Sequence, residues 1–258
     1  MSLGRGEILN ALEGALRPLD FVHALWEGGS AAFGRADAYS DVDLHTIVDD
    51  EHVEELFARV DDTLAALSPI ERRWRLSEPT WHGHSQCFYR LRDAGPYVLV
   101  DFVAMRRGGS APIHDEVERH GEPQVVFDKA GLVRSGRVDR GALRAELEAG
   151  LAELGHKFEM IQPFVEKELL RDNPLGAMGF YLDHTLGPAH RMLRILYCPE
   201  RHDFGLRYAR VDLPADVAAE LAELAFVRDA DDLRTKCARA QRLFRDALAA
   251  VERNGVAL

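Results

Sequence analysis

The chain has 258 residues, 47% of them hydrophobic and 29% charged, with a formal net charge of −11 at pH 7. That composition suits an ordinary globular protein of one large domain or two smaller ones. It argues against a long RNA or DNA substrate, because both halves are net acidic and such binding rests on Lys and Arg against phosphates.

No apolar run approaches a transmembrane span. The three cysteines, Cys87, Cys198 and Cys237, lie far apart and lack metal-site spacing. With no signal peptide, the expectation is a cytoplasmic protein with reduced thiols.

Residues 7–16 have the spacing of a short helix, and residues 21–27 read as a strand feeding a Gly28-Gly29-Ser30 turn. After a loop, the apolar and β-branched run Val42–Val48 (VDLHTIV) reads as a strand. Strand side chains alternate faces, so Asp41 and Asp43 point the same way, about 6–7 Å apart. Two such carboxylates repel unless a cation lies between them, and Mg²⁺ with oxygen ligands removes that cost. The glycine turn upstream offers backbone N–H groups to a phosphate. A phosphate cradle followed by a metal-binding pair suggests chemistry on a nucleoside triphosphate.

The acidic run Asp49-Asp50-Glu51 reads as a helix N-terminus, where negative charge is favourable. Residues 52–67 then carry Val53, Leu56, Val60, Leu64 and Leu67 at helical spacing. Segments 86–91 and 97–105 flank Asp93-Ala94-Gly95-Pro96 and read as a hairpin. Its second arm, YVLVDFVAM, is apolar apart from Asp101. Burying an unpaired carboxylate is expensive. Asp101 therefore takes an arginine partner, such as Arg90 or Arg106, or completes a three-carboxylate site with Asp41 and Asp43. Two-metal phosphoryl-transfer sites use such clusters to hold ions about 3.5–4 Å apart. Gly108-Gly109-Ser110-Ala111-Pro112 reads as a loop, and Gln124–Asp128 as a short strand ended by Lys129-Ala130-Gly131.

From Asp139 the pattern turns helical. Leu143, Leu147, Leu151, Leu154, Phe158 and Ile161 mark a long amphipathic helix. Asn173-Pro174 opens a second helix, which carries Met178, Leu182, Leu186, Leu193 and Leu196 and is kinked or broken at Gly187-Pro188. Pro214 opens a third, and a fourth spans residues 231–253 with Gly255 as its stop. The fold class expected is α+β: a mixed-sheet domain over residues 1–137, then an all-α helical bundle over residues 138–258.

Arg191, Arg194 and Arg207 suit anion recognition, or else form a solvated or salt-bridged helix face. Tyr181, Tyr208, Trp74 and Trp81 can stack on a base, but buried aromatics more often serve packing. Arg35 sits in the glycine loop, where a phosphate contact competes with simple exposure. His82 and His84 lack the further ligands of a zinc site and read as structural or surface residues.

Gly29-Ser30, then Ser40-Asp41-Val42-Asp43-Leu44, with Asp101 on a later strand, resembles the nucleotidyltransferase superfamily related to DNA polymerase β. The helical second half makes the aminoglycoside and related antibiotic nucleotidyltransferases the nearest likeness within it. The motifs cover residues 28–101; the second half is similar in architecture only. The resemblance implies that Asp41 and Asp43 bind Mg²⁺, two ions in all. It implies that Gly29 and Ser30 bind the triphosphate of an NTP, ATP above all, with Ser40 assisting. Asp101 would bind metal and activate the acceptor hydroxyl, a task that Glu166, Glu168 or Asp183 of the helical half can also fill. The implied partners are the NTP and a small hydroxylated, aminoglycoside-like acceptor. Nucleotide transfer to a protein or tRNA, and a non-catalytic nucleotide-binding module, are the competing readings.

Overall fold

The chain divides into two units, Met1–Arg137 and Val138–Leu258. The computed structural model describes residues 3–109 and 116–258, so part of the loop expected at 108–112 lies outside the described residues. The fold is α+β.

In the first unit the order is α1 (Arg5–Leu16), β1 (Val22–Glu27), a single turn α2 (Gly29–Ala32), β2 (Val42–Val48), α3 (Val53–Leu67), β3 (Ile70–Arg75), β4 (Ser85–Leu91), β5 (Val100–Arg106), the turn α4 (Val117–His120) and β6 (Gln124–Asp128). The six strands form one mixed sheet in the order β3-β4-β5-β2-β1-β6. Only β2 and β5 run parallel. Period-two alternation sorts the two faces. Val42, Leu44 and Val48 of β2, with Val100 and Phe102 of β5, pack under Ile8, Leu12 and Leu16 of α1 and Leu56, Phe57 and Val60 of α3. The residues between them, Asp43 and Asp101 included, therefore face away from both helices.

Two local readings change. The hairpin is formed, but its second strand starts at Val100 rather than 97, because Arg92–Ala94 coils into a short helical turn and Gly95 takes φ 82°. Strand β3 has no apolar alternation, since IERRWR is mostly charged. It is an edge strand paired only with β4, where charge discourages further pairing.

The second unit contains α5 (Arg140–Ile161), α6 (Pro163–Leu169), α7 (Pro174–Tyr181), a π-helical turn (Leu182–Leu186), α8 (Gly187–Tyr197), the turn α9 (Ala209–Asp212), α10 (Ala215–Ala225) and α11 (Ala230–Asn254). Its core gathers Leu151, Phe158, Tyr181, Met192, Leu193 and Phe244. Side chains cap three helices: Asp139 accepts from Ala142 N, Asn173 from Gly176 N and Asp229 from Asp232 N.

Gly187-Pro188 does not break the helix. Proline denies the His184 carbonyl its normal helical donor, and the π turn absorbs the distortion. The side chain of Gln162 supplies the missing bond, with Nε2 donating to His184 O at 2.9 Å. Among the described residues no helix is long and apolar enough to cross a membrane, and all three cysteines are buried free thiols.

Candidate active site

The register of β2 on β5 pairs Asp43 with Asp101 directly. Parallel neighbours in register share a face and lie about 4.8 Å apart between strands. Asp41 stands just before β2 in the same alternation. Its Oδ1 accepts from Leu99 N at 3.0 Å, and its carbonyl accepts from Arg5 Nε at 3.1 Å, so both the approach to β2 and the approach to β5 are tied to one residue. The sheet thus brings three carboxylates from two segments, β2 with the residue before it and β5, to one end of the sheet.

Neither arginine considered for Asp101 reaches it. Arg106 pairs with Glu78 at 3.0 Å and Arg90 donates to Pro96 O at 3.1 Å. Asp101 is held instead by Gln86, whose Nε2 donates to Oδ1 at 2.7 Å. Burial pushes the Asp101 carboxyl up to about 6 against that hydrogen bond, and the charges of Asp43 and Asp41 push it the same way as burial. A like-charged, partly buried set of oxygen donors is chemistry that a hard divalent cation relieves. Among the described residues no three His, Cys, Asp or Glu side chains converge tightly enough to enclose an ion. Mg²⁺ suits an open set of this kind, because it keeps several of its waters and binds through one or two carboxylates together with substrate phosphates.

The glycine turn lies against these acids. Gly28 N donates to Asp43 O at 2.9 Å. Gly29 has φ 53°, and a Cβ there would stand 1.8 Å from Asp43 Oδ2. Only glycine permits both the left-handed backbone and that approach. Ser30, in the same turn, has its hydroxyl oxygen buried with no hydrogen-bond partner. A buried orphan hydroxyl beside backbone N–H groups fits an anion that brings its own acceptor oxygens. Ser40 is differently placed: its hydroxyl accepts from Asp37 N at 2.9 Å and donates to Asp37 Oδ1 at 3.0 Å, closing the turn that leads into Asp41. Arg35 lays its guanidinium over the Phe33 ring.

Two further groups were not legible as parts of this site. Glu27, at the end of β1, is buried and ion-paired with Arg5. Burial raises its carboxyl, Arg5 opposes this, and the charge of Asp43 adds to it. An acid closing the strand VHALWE just before the glycine turn was the available signal. Gln86 and His82 are the other case: His82 Nε2 lies 2.9 Å from Gln86 Oε1. The bond from Gln86 to Asp101 depends on the register of β4 on β5, which local sequence does not encode.

In the helical unit the candidates separate cleanly. Glu168 is committed to Asn173 and Arg171, both at 2.7 Å, and Glu166 to Arg234 at 2.9 Å. Asp183 instead lines a cavity of about 310 Å³ with Lys157, His184 and Arg191 around an apolar floor that includes Phe158 and Pro188. Arg194 is not available to a phosphate, because it is fully buried and bonded to Asp212 and to backbone carbonyls. Tyr181 is a core residue donating to Leu224 O at 2.8 Å. Trp81 is 92% exposed, whereas Trp74 stacks on Phe88.

No protein-family model and no curated protein matches this sequence. Among solved structures, the chain is similar to the crystal structure of an aminoglycoside 6-adenyltransferase from Bacillus subtilis. The match has 14% sequence identity and a TM-score of 0.41, and covers 96% of this chain and 90% of that one.

Proposed function

We propose that the chain is a nucleotidyltransferase that moves a nucleoside monophosphate from an Mg²⁺-bound NTP, ATP in the first instance, to a hydroxyl of a small acceptor of aminoglycoside-like chemistry. The observation that carries this reading is the juxtaposition of the Asp43–Asp101 pair with a turn where only glycine fits and whose serine hydroxyl is buried without a partner. Asp41, Asp43 and Asp101 would hold the metal, two ions at full occupancy. When bound, Mg²⁺ supplies charge neutralisation at the phosphates and leaving group.

The residues of the chain then divide the remaining work. Gly29 N–H and the Ser30 hydroxyl bind phosphate oxygens and fix the triphosphate. Ser40 supports them through the Asp37 turn. Asp101 orients the acceptor hydroxyl and takes its proton. The acceptor oxygen forms a bond to the α-phosphorus as the α–β phosphoanhydride bond breaks, and pyrophosphate leaves. Positioning and fixed charge supply most of the rate in such a transfer.

The net charge of −11 favours a cationic small molecule over RNA. Calorimetric titration of ATP, GTP, CTP and UTP with Mg²⁺ tests the reading. At least one should bind only with metal, and Asp43→Asn should abolish that binding and pyrophosphate release with hydroxylated acceptors while the fold persists. Turnover unchanged in Asp43→Asn refutes it.

A further inference from the structure

Asp101 is held by a chain of side chains that begins well outside the acids. Thr80 Oγ1 donates to His84 O at 2.5 Å, so its proton is already committed. The backbone N–H of His84 donates to His82 Nδ1 at 3.1 Å. A ring nitrogen that accepts an N–H bond carries no proton of its own, so the proton of the His82 imidazole is on Nε2. Nε2 lies 2.9 Å from Gln86 Oε1 and donates to it. With its oxygen accepting, the Gln86 amide must turn its NH₂ the other way, toward Asp101 Oδ1 at 2.7 Å. Each link dictates the polarity of the next, and the first donor is a backbone amide whose polarity cannot reverse.

We infer that His82 and Gln86 are positioning residues that fix which oxygen of Asp101 is presented to the candidate metal–nucleotide site. Oδ1 is committed to Gln86, and Oδ2 is the oxygen left to face the substrate. This rests on the nucleotidyltransferase reading of the site. Donors bonded to a ligating carboxylate orient it toward the metal, and their loss typically costs about 10- to 100-fold in metal affinity. The arrangement gives His82 a role without zinc, with residue 84 contributing its backbone N–H.

The test has one arm that needs no metal and one that does. In the metal-free protein, ¹⁵N NMR of the His82 ring should show the proton on Nε2 and an unprotonated Nδ1. A proton on Nδ1 overturns the relay. Mn²⁺ binding in the presence of ATP, followed by electron paramagnetic resonance, should weaken by about 10- to 100-fold in Gln86→Leu. His82→Leu should weaken it less, and His82→Gln, which keeps a donor near the position of Nε2, should restore it. In turnover, Gln86→Leu should raise the metal concentration needed for half-maximal rate by a similar factor.

Mn²⁺ affinity unchanged in Gln86→Leu, with wild type binding normally, overturns the positioning role and leaves the nucleotidyltransferase reading intact. No Mn²⁺–ATP binding by wild type, with the His82 proton on Nε2, refutes the nucleotidyltransferase reading and the positioning role that rests on it, while the hydrogen-bonded chain stands. Thermal midpoints of all three variants separate a lost donor from a lost fold. Should Gln86→Leu fail to fold, the contrast between His82→Leu and His82→Gln carries the decision.

Discussion

Arg194 in the helical unit and Asp101 in the sheet unit are both charges withdrawn from solvent, yet their surroundings differ in kind. Arg194 is fully buried and meets the fully buried Asp212 at 3.0 Å; Gly205, Arg201 and Arg207 contribute carbonyls and His190 a ring nitrogen. Arg201 reaches the other oxygen of Asp212 at 2.6 Å. Opposite charges and matched donors make this a closed structural network that pins the segment after α8. Asp101 has one neutral donor and two neighbours of its own sign. A satisfied buried charge holds a fold together. A partly buried charge set beside like charges, at the end of a sheet, is on the proposed reading a group held for a cation.

The largest effect should come from opening the closed network. Arg194→Leu takes one of the two arginines from the buried Asp212 carboxylate and the donor from three backbone carbonyls, and breaking a buried pair from one side costs about 3–5 kcal/mol. Urea unfolding should show that loss, and Asp212→Asn should show a smaller one. Should Arg194→Leu leave stability unchanged, the network is not the brace described here.

The same network makes a pH prediction. Burial pushes the His190 imidazole down to about 4, with Arg194 adding to the effect. His190 is therefore neutral in the fold and accepts from Arg194 Nε at 3.1 Å. A histidine with a depressed folded pKa stabilises fully above its ordinary value of 6.5. That contribution is lost as pH falls from 6.5 toward about 4. The loss is on the order of 3 kcal/mol. His190→Gln retains an acceptor but cannot take a proton, so it should flatten the stability profile over this range. A profile as steep as wild type in that variant assigns the pH dependence elsewhere.

The acids of the sheet unit were legible in the sequence and Arg194 was not, for a physical reason. Asp43 and Asp101 interrupt apolar strands, and alternation with period two fixes their common face before any partner is known. Their pairing needed only that β2 and β5 be neighbours in register. Arg194 sits on an amphipathic helix among Arg191, Leu193 and Leu196, and nothing in that spacing distinguishes an inward arginine from a solvated one. What draws it inward is the later segment carrying Gly205, Arg207 and Asp212, a tertiary partner. The same reason hid the bond from Gln86 to Asp101 and left open whether Pro188 kinks or breaks its helix, which Gln162 at the end of α5 decides. Strand β3 was missed because its charges serve an exposed edge.

The smallest effect sharpens the comparison most, because its sign differs between the two units. Asp101→Asn removes one of the like charges while keeping the shape of the side chain and an oxygen for Gln86 Nε2 to donate to. The raised carboxyl means that the ionised form is disfavoured in the fold at neutral pH. The metal-free variant should therefore be more stable than wild type by about 1–2 kcal/mol, which is several degrees in thermal midpoint for a domain of this size. Mg²⁺ with ATP should then raise the midpoint of wild type, since a ligand that binds only the folded state stabilises it, and should do little for the variant. A lower midpoint in metal-free Asp101→Asn would place Asp101 with Arg194 as a structural charge, and the contrast between the two units would collapse. A higher midpoint that Mg²⁺–ATP cannot raise further is the pattern of a group kept at a cost in stability for the ligand it holds.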